Sequence, residues 1–391
     1  MKRLTLLLLG LALGVSATAS AQGLTMQMSN GWAFQFGGNV NAFWVFSKIN
    51  NSGPANSSVR TGLLPAFATF EARGKEAGLN LAVHIGFAPQ IQNAGVHDQF
   101  GAQIDMRQVY LTIGFKNGSQ LLAGRELSLF GRQNILNDMT LFGVGAIGIG
   151  LAQAGGTTLG RIGYGYLYPN FNAQLTYSTK PGEAQFSVGL FQPAAFGAGG
   201  GAFTVTKIPR VEAEFSYNKK SGKNNYTFWA GGLWQSTSNA PSGGTTVSSF
   251  GGTAGIKAGM SDLSVVVSGY IGKGLGTTFM FSGDEVVAGD TLSKSDGGYA
   301  QVMYKVGPKT NVGVSWGFSR LKFRDAVVSN LYSYTAGIYY QWTKSLKWVL
   351  EGTQEGTTGE SAGGVFGGPP LGPIPGGTKQ INISSGFMLF Y

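Results

Sequence analysis

The chain of 391 residues has no cysteine and only two histidines, His84 and His97. The missing cysteines exclude a disulfide scaffold, Cys-ligated zinc, an iron–sulfur cluster and a thiol nucleophile. Two histidines also leave no His-rich metal centre. Charge is scarce: 12% of the residues are Asp, Glu, Lys or Arg, about half the usual roughly 25%. This is no Lys/Glu-rich helical protein. Simple disorder is excluded too, because 43% of the chain is hydrophobic and disorder needs low hydrophobicity with high charge. After Ala21 no run of 18 apolar residues occurs, so no transmembrane helix is expected there. The nearest candidate, Leu141 to Gly156, is glycine-rich and broken by Gln153, and is a poor helix former.

The first residues read as an export signal. Lys2 and Arg3 precede an apolar core from Leu4 to Val15, and Ala19-Ser20-Ala21 is a small-residue cleavage site. Such a core spans only about 18 Å as a helix, too short for a bilayer core of about 30 Å. The expected division is a signal peptide at 1–21 and one domain at 22–391. Removing the signal takes the net charge from +10 to +8.

In the remainder, apolar and polar residues alternate. Phe34, Phe36, Val40, Ala42, Trp44 and Phe46 interleave with Gln35, Asn39 and Asn41. Val211, Ala213, Phe215 and Tyr217 interleave with Arg210, Glu212 and Glu214. The same pattern returns at Leu79–Phe87, Phe250–Ala258 and Tyr332–Trp342. Period two means strands with one apolar face. A soluble sandwich also alternates, but its strands are usually about 5–6 residues. Transmembrane strands need about 9–11, which suits these longer runs. Small polar residues on one face and Tyr, Trp and Phe near strand ends on the other fit a wet lumen and an aromatic girdle.

Seven short connections, such as Gly74–Gly78 and Lys344–Lys347, alternate with eight longer ones, such as Pro89–Gln103 and Gly356–Thr378. The predicted fold is therefore an all-β transmembrane antiparallel β-barrel of 16 strands, with both termini on the short-turn rim. The segment Arg161–Ser178 changes parity near Pro169, which reads as one long strand with a bulge. A turn at Tyr168–Asn170 would instead give seventeen strands, or eighteen if Phe203–Thr206 also pairs.

The last strand places Ile381, Ile383, Phe387, Leu389 and the terminal Tyr391 on one face. An apolar strand ending on an aromatic residue resembles the assembly signal of porins, where Phe is usual. Asp105-Met106-Arg107-Gln108-Val109-Tyr110, followed by Gly124-Arg125-Glu126-Leu127-Ser128-Leu129-Phe130, is similar to strands four and five of the Gram-negative trimeric outer-membrane porins, including their dicarboxylate-porin-like branch. Arg161 with Tyr164 resembles the sixth strand of that family. The resemblance covers the mature chain as architecture. It implies a third loop, here Leu127 to Thr157, folded into the lumen, and a homotrimer whose first strands build the subunit contact.

If the loop folds inward, Arg132, Asn134, Asn137 and Asp138 line the constriction and Gly143–Gly156 packs against the inner wall. An outward surface loop is the alternative. Parity places Arg161, Arg210, Glu212, Glu214, Lys257 and His84 on the lumen face. Arg107 shares parity with Val109, Leu111 and Ile113, which aims it outward, whereas the resemblance aims it inward. Arg125 carries the same ambiguity.

Other signals are weaker. Gly143-Val-Gly145-Ala-Ile-Gly148 matches a dinucleotide G-x-G-x-x-G string without its βαβ context, so no cofactor is expected. The pore-lining reading of His84 outweighs a hydrolase role, and His97 reads as a loop residue. Asp284, Glu285, Asp290 and Asp296 lack calcium-loop spacing, so no metal is expected. Lys75, Lys116, Lys180, Lys219, Lys220, Lys223, Lys309, Lys344 and Lys347 fall at or beside short turns. That collar favours anions at the mouth, and nothing here points to nucleic acid. The function expected is a passive, non-enzymatic channel for small hydrophilic solutes and ions with a modest anion preference. Its setting is the Gram-negative outer membrane, in a bilayer with lipopolysaccharide. An outer-membrane hydrolase and a structural or adhesive barrel are the alternatives.

Overall fold

The computed structural model describes residues 24–50, 53–91, 104–152, 156–195, 203–242, 244–281, 285–287, 291–323, 326–359 and 374–391. The expected signal peptide, His97, Gln153, Asp284 and Asp290 lie outside the described residues. No described helix is long and apolar enough to cross a membrane.

Sixteen antiparallel strands close into a barrel. The first five are β1 (Ala33–Ile49), β2 (Ala55–Arg60 and Phe67–Glu76), β3 (Leu79–Pro89), β4 (Ile104–Gly114) and β5 (Gln120–Leu127). Next come β6 (Phe171–Ser178), β7 (Ala184–Phe191), β8 (Arg210–Ser221), β9 (Asn224–Ser238) and β10 (Thr246–Met260). The last six are β11 (Leu263–Lys273), β12 (Lys294–Lys305), β13 (Thr310–Phe323), β14 (Ala326–Gln341), β15 (Leu346–Thr358) and β16 (Lys379–Phe390).

β1 closes the barrel against β16, with Asn39 opposite Phe390 and Ile49 opposite Gln380. Gly38 and Tyr391 exchange backbone hydrogen bonds of 3.0 Å in both directions. Leu24–Gln27 pairs with the same edge of β1, in line below the C-terminus. Among the described residues Phe203–Thr206 forms isolated bridges, Val205 to Ser238 among them, so it adds no strand.

The alternation becomes the two faces of the wall. On β1, Val40 and Trp44 are about half exposed, whereas Asn39, Asn41 and Ser47 are buried in the lumen. Phe43 and Val45 break the pattern by facing inward. They do so because the lumen here is filled: both belong to an apolar cluster with Leu141, Val144 and Ile147.

Two strands depart from regularity, and both departures position the lumen. β2 is interrupted at residues 61–66, which turn inward and are buried. Their backbone groups are taken up by the lumen: Leu63 N donates to Gly143 O at 2.9 Å and Leu64 N to Leu141 O at 3.2 Å. Asn41 accepts from Gly62 N at 2.9 Å and donates to Leu64 O at 3.0 Å. In β4 the register jumps, with Gly86 opposite Gln108 and Phe87 opposite Met106. Arg107 is the extra, bulged residue, which is why its parity misleads.

The connection after β5 runs over residues 128–170, not to Thr157. It contains a short helix α1 (Arg132–Leu136) and a 3-10 turn (Met139–Phe142). Strand β6 begins only at Phe171. The long bulged strand expected from Arg161 is therefore loop for its first ten residues. Ile162, Tyr164 and Tyr166 alternate there because they pack into the apolar cluster, each at most 2% exposed.

Candidate functional site

A loop buried inside a barrel must satisfy its backbone there, and the wall supplies the partners. Positive φ at Gly145 (58°) and Gly148 (88°) turns successive amides of the glycine string to one side. Glu351 accepts from Val144 N at 2.7 Å and Gly145 N at 2.8 Å. The Tyr339 hydroxyl donates to its other oxygen at 2.6 Å. Two same-face positions further along β15, Glu355 accepts from Ile147 N and Gly148 N, both at 2.9 Å, and from the Tyr164 hydroxyl at 2.6 Å. The G-x-G-x-x-G string is thus an anion cradle, and the anions it holds are the barrel's own carboxylates.

The fastening continues around the wall. On β8, Glu212 accepts from Phe130 N at 2.9 Å and pairs with Arg210 at 2.8 Å. Glu214 pairs with Arg132 at 2.5 Å and accepts from Gln133 at 3.1 Å. Asn134 is held by Trp229 of β9, Thr253 of β10 and Ser268 of β11. Gln301 of β12 accepts from Met139 N and donates to Asn137 O. Gly150 N donates to Gln380 of β16 at 3.0 Å. Arg60, at the end of the upper piece of β2, donates to Leu151 O at 3.2 Å and Thr157 O at 3.1 Å.

Arg161 is not a strand residue. It lies in the loop at 0% exposure and donates to the side chains and carbonyls of Ser315 on β13 and Ser333 on β14, at 2.6–2.7 Å. Asp138 sits beside it and accepts from Arg161 N at 3.1 Å and the Tyr166 hydroxyl at 2.8 Å. Its other oxygen accepts from the Thr140 amide and hydroxyl. Burial holds the Asp138 carboxyl above the ordinary carboxylate range, against the pull of Arg161 and these bonds. Asp138 and Arg161 within the loop, and Arg210 on the wall beneath it, are therefore anchors, not groups offered to passing solute. Arg210 is 2% exposed, its guanidinium 5.7 Å from the rings of Phe191 and Phe281.

From the lower piece of β2 to β5 the wall bears a different set. Gln35 accepts from Arg73 at 3.1 Å, and Arg73 also pairs with Glu71. His84 lies with Nδ1 3.2 Å from Glu71 and Nε2 3.3 Å from the Gln108 amide oxygen, its ring stacked on Tyr110 at 4.9 Å. Gln108 donates onward to Glu126 at 2.8 Å. This hydrogen-bonded chain crosses five strands at one level, because Gln35, Glu71, His84 and Tyr110 are register partners. Nearer the long-loop rim, the bulge turns Arg107 onto Asp105 at 2.8 Å and the Tyr168 hydroxyl at 3.3 Å.

No protein-family model matches the sequence, and no curated protein does. Solved structures do. The anion-selective porin from Comamonas acidovorans is 13% identical, with a TM-score of 0.66 over 92% of this chain and 100% of that one. The outer membrane channel DcaP of Acinetobacter baumannii is 12% identical, with a TM-score of 0.64 over 92% and 99%. Salmonella typhi OmpF, solved with daunomycin, is 10% identical, with a TM-score of 0.59 over 94% and 100%.

The fold is that of a sixteen-stranded porin. Loop 128–170 is the third long connection of that porin fold and lies in the lumen. Within it, Arg132 faces Glu214 and retains 14% of its side-chain surface. Arg125 is exposed and, by register with Val109 and Ala173, lies on the outer face rather than in the lumen. His84 and Arg107 face the lumen. Lys257 is half-buried on β10. Lys347, grouped with the turn lysines by sequence, turns inward with its ammonium 4.0 Å from the Phe142 ring. The sequence reading missed Glu351, Glu355, Glu71, Arg73 and Glu126. The signal was available: each is a charged residue in an alternating strand of a chain with 18 acids.

Proposed function

We propose that this protein is an outer-membrane porin, a passive diffusion channel for small hydrophilic solutes with a modest anion preference. The observation that carries the reading is the division of the lumen. One wall is covered by a loop whose single acid, Asp138, and the wall glutamates beneath it are all occupied by internal donors. The other is left polar and partly exposed, with 41% of the Arg73 and 44% of the Asp105 side-chain surface accessible. The mature net charge of +8 and the exposed turn lysines favour anions at one mouth, while Glu71 and Glu126 oppose them inside. Salt screening limits the collar's reach to about 8 Å, so selectivity of a few-fold follows. For the hydrolase alternative, His84 is the residue required, and its two ring nitrogens face Glu71 and Gln108, which supports a wall role.

Reversal potential across a salt gradient in a planar bilayer tests the sign; a cation-selective value overturns the anion preference. Deleting 143–156 should raise single-channel conductance, and an unchanged value in an assembled variant places the constriction elsewhere. The homotrimer is part of the same proposal. Native mass spectrometry in mild detergent should give three copies, and a monomer alone would refute it.

A further inference from the structure

On the open wall one side chain meets acceptors at both ends. His84 Nδ1 lies 3.2 Å from Glu71 Oε2, and its Nε2 lies 3.3 Å from Gln108 Oε1. The Gln108 amide cannot turn over without loss, because its nitrogen donates to Glu126 Oε2 at 2.8 Å. Glu126 is itself committed, since its other oxygen accepts from Leu127 N at 2.7 Å. The other oxygen of Glu71 faces Arg73. Gly86 leaves the room this arrangement needs: a Cβ there would come within 2.6 Å of Gln108 Oε1.

A neutral imidazole has one N–H donor and one acceptor, whereas the imidazolium has two donors. With either neutral tautomer a ring lone pair would face an oxygen lone pair, at Glu71 or at Gln108. Flipping the Gln108 amide only moves that clash to Glu126. The hydrogen bonding of the row is therefore complete only when His84 carries its second proton. The Tyr110 ring, stacked at 4.9 Å with 13° between the planes, presents its face to the same cation. The titratable and charged groups around His84 are few. Glu71 and Arg73 come from β2, Tyr110 from β4, Glu126 from β5 through Gln108, and the loop's Arg132 lies beyond Glu126. Arg132 is already paired with Glu214. Within the row, the protonated ring and Arg73 balance Glu71 and Glu126. Loss of the proton leaves one carboxylate uncompensated beside the ion path, where 41% of the Arg73 side chain is open.

We propose that His84 is a specificity-determining residue of the channel, a proton-operated charge that sets how strongly the pore prefers anions. Histidine changes charge between about pH 5 and 8. On acidification the wall gains a positive charge and the anion preference rises. As pH climbs through the same window the row loses a donor and the preference falls. A unit charge about 8 Å from a passing ion in water changes the local ion concentration about twofold. The change has opposite sense for anions and cations, so their permeability ratio moves about fourfold. The inference rests on the reading of the chain as a porin whose ions pass the bare wall.

The test is the reversal potential of the wild-type channel in a planar bilayer across a potassium chloride gradient, read from about pH 8.5 down to about pH 5. The anion-to-cation ratio should rise about fourfold in a single step. This arm needs no variant. In His84→Gln the step should be absent, with the ratio held near the alkaline value of the wild-type protein. Gln108→Leu removes an acceptor that only the imidazolium satisfies together with Glu71, so its step should persist with a midpoint at lower pH. Heat-modifiable migration on gels checks that both variants are folded. A flat wild-type ratio, a step toward cations on acidification, a full step in folded His84→Gln, or an unmoved midpoint in folded Gln108→Leu would each overturn the proposal. Failure of the porin reading looks different, as wild-type protein that gives no conductance steps at any pH. A cation-selective ratio at every pH, still stepping toward anions on acidification, would refute the anion preference while supporting the role of His84.

Discussion

Along β8–β16 the lumenal glutamates point at the protein's own loop, whereas from β2 to β5 they point at one another's neighbours across the wall. Glu212, Glu351 and Glu355 are at most 1% exposed, and their oxygens receive amide, hydroxyl or guanidinium donors. Glu71, by contrast, keeps 19% of its side-chain surface and sits in a chain of polar side chains. The same residue type therefore does two jobs, decided by whether the loop lies over it. Burial makes the first set structural, because a buried acceptor or donor without a partner costs about 1–3 kcal/mol. The second set stays in reach of water and acts through its charge.

Mutations on the two walls should separate these roles. The largest effect is expected from Glu351→Ala combined with Glu355→Ala, which orphans four loop amides and two tyrosine hydroxyls. At about 1–3 kcal/mol for each orphaned group, docking of the loop should fail. Single-channel recording should then give larger, noisier currents, and a quiet wild-type trace from an assembled variant would contradict the anchoring role. Arg161→Met comes next. It removes the buried positive charge beside Asp138 and the guanidinium donors to Ser315 and Ser333, a loss of about 3–5 kcal/mol for breaking a buried charge site. Thermal unfolding should fall and the open-channel noise should rise, with an unaltered melting point as the contrary result. On the bare wall, Glu71→Gln with Glu126→Gln should leave conductance noise and stability nearly as they are. It should move the reversal potential a few-fold further toward anions; a shift toward cations would show that these carboxylates do not face the ion path. The smallest effect is expected from Arg125→Gln. An outer-face residue should change neither conductance nor selectivity, and a clear change in either would return Arg125 to the lumen.

The barrel itself was legible because its walls repeat one rule. Sixteen strands followed from period-two runs and from the alternation of short and long connections, and both survive in the structure. The rule failed where side chains meet protein on both sides. Ile162, Tyr164 and Tyr166 alternate inside a loop, packed against Tyr299 and its neighbours, so alternation there reports burial rather than a strand. Arg107 failed through a single inserted residue, which local sequence does not announce. Glu351 and Glu355 went unread because their partners are backbone amides 206–208 residues away. The glycine string was noticed, and its chemistry of cradling anions was the right one. What spacing alone could not supply was the identity of the anion.

The inward turn at residues 61–66 has a consequence for how the molecule is made. Loop 128–170 is held by that turn near the start of the chain and by Gln380 in the last strand. Its berth therefore does not exist until the first and last strands have met. Contacts of such long sequence separation form late, because the chain entropy of closing them comes first. The seam between β1 and β16 thus acts as a checkpoint. A barrel still open at that seam would have no finished surface on which to seat its loop, and the passage would be narrowed only in molecules that had already sealed.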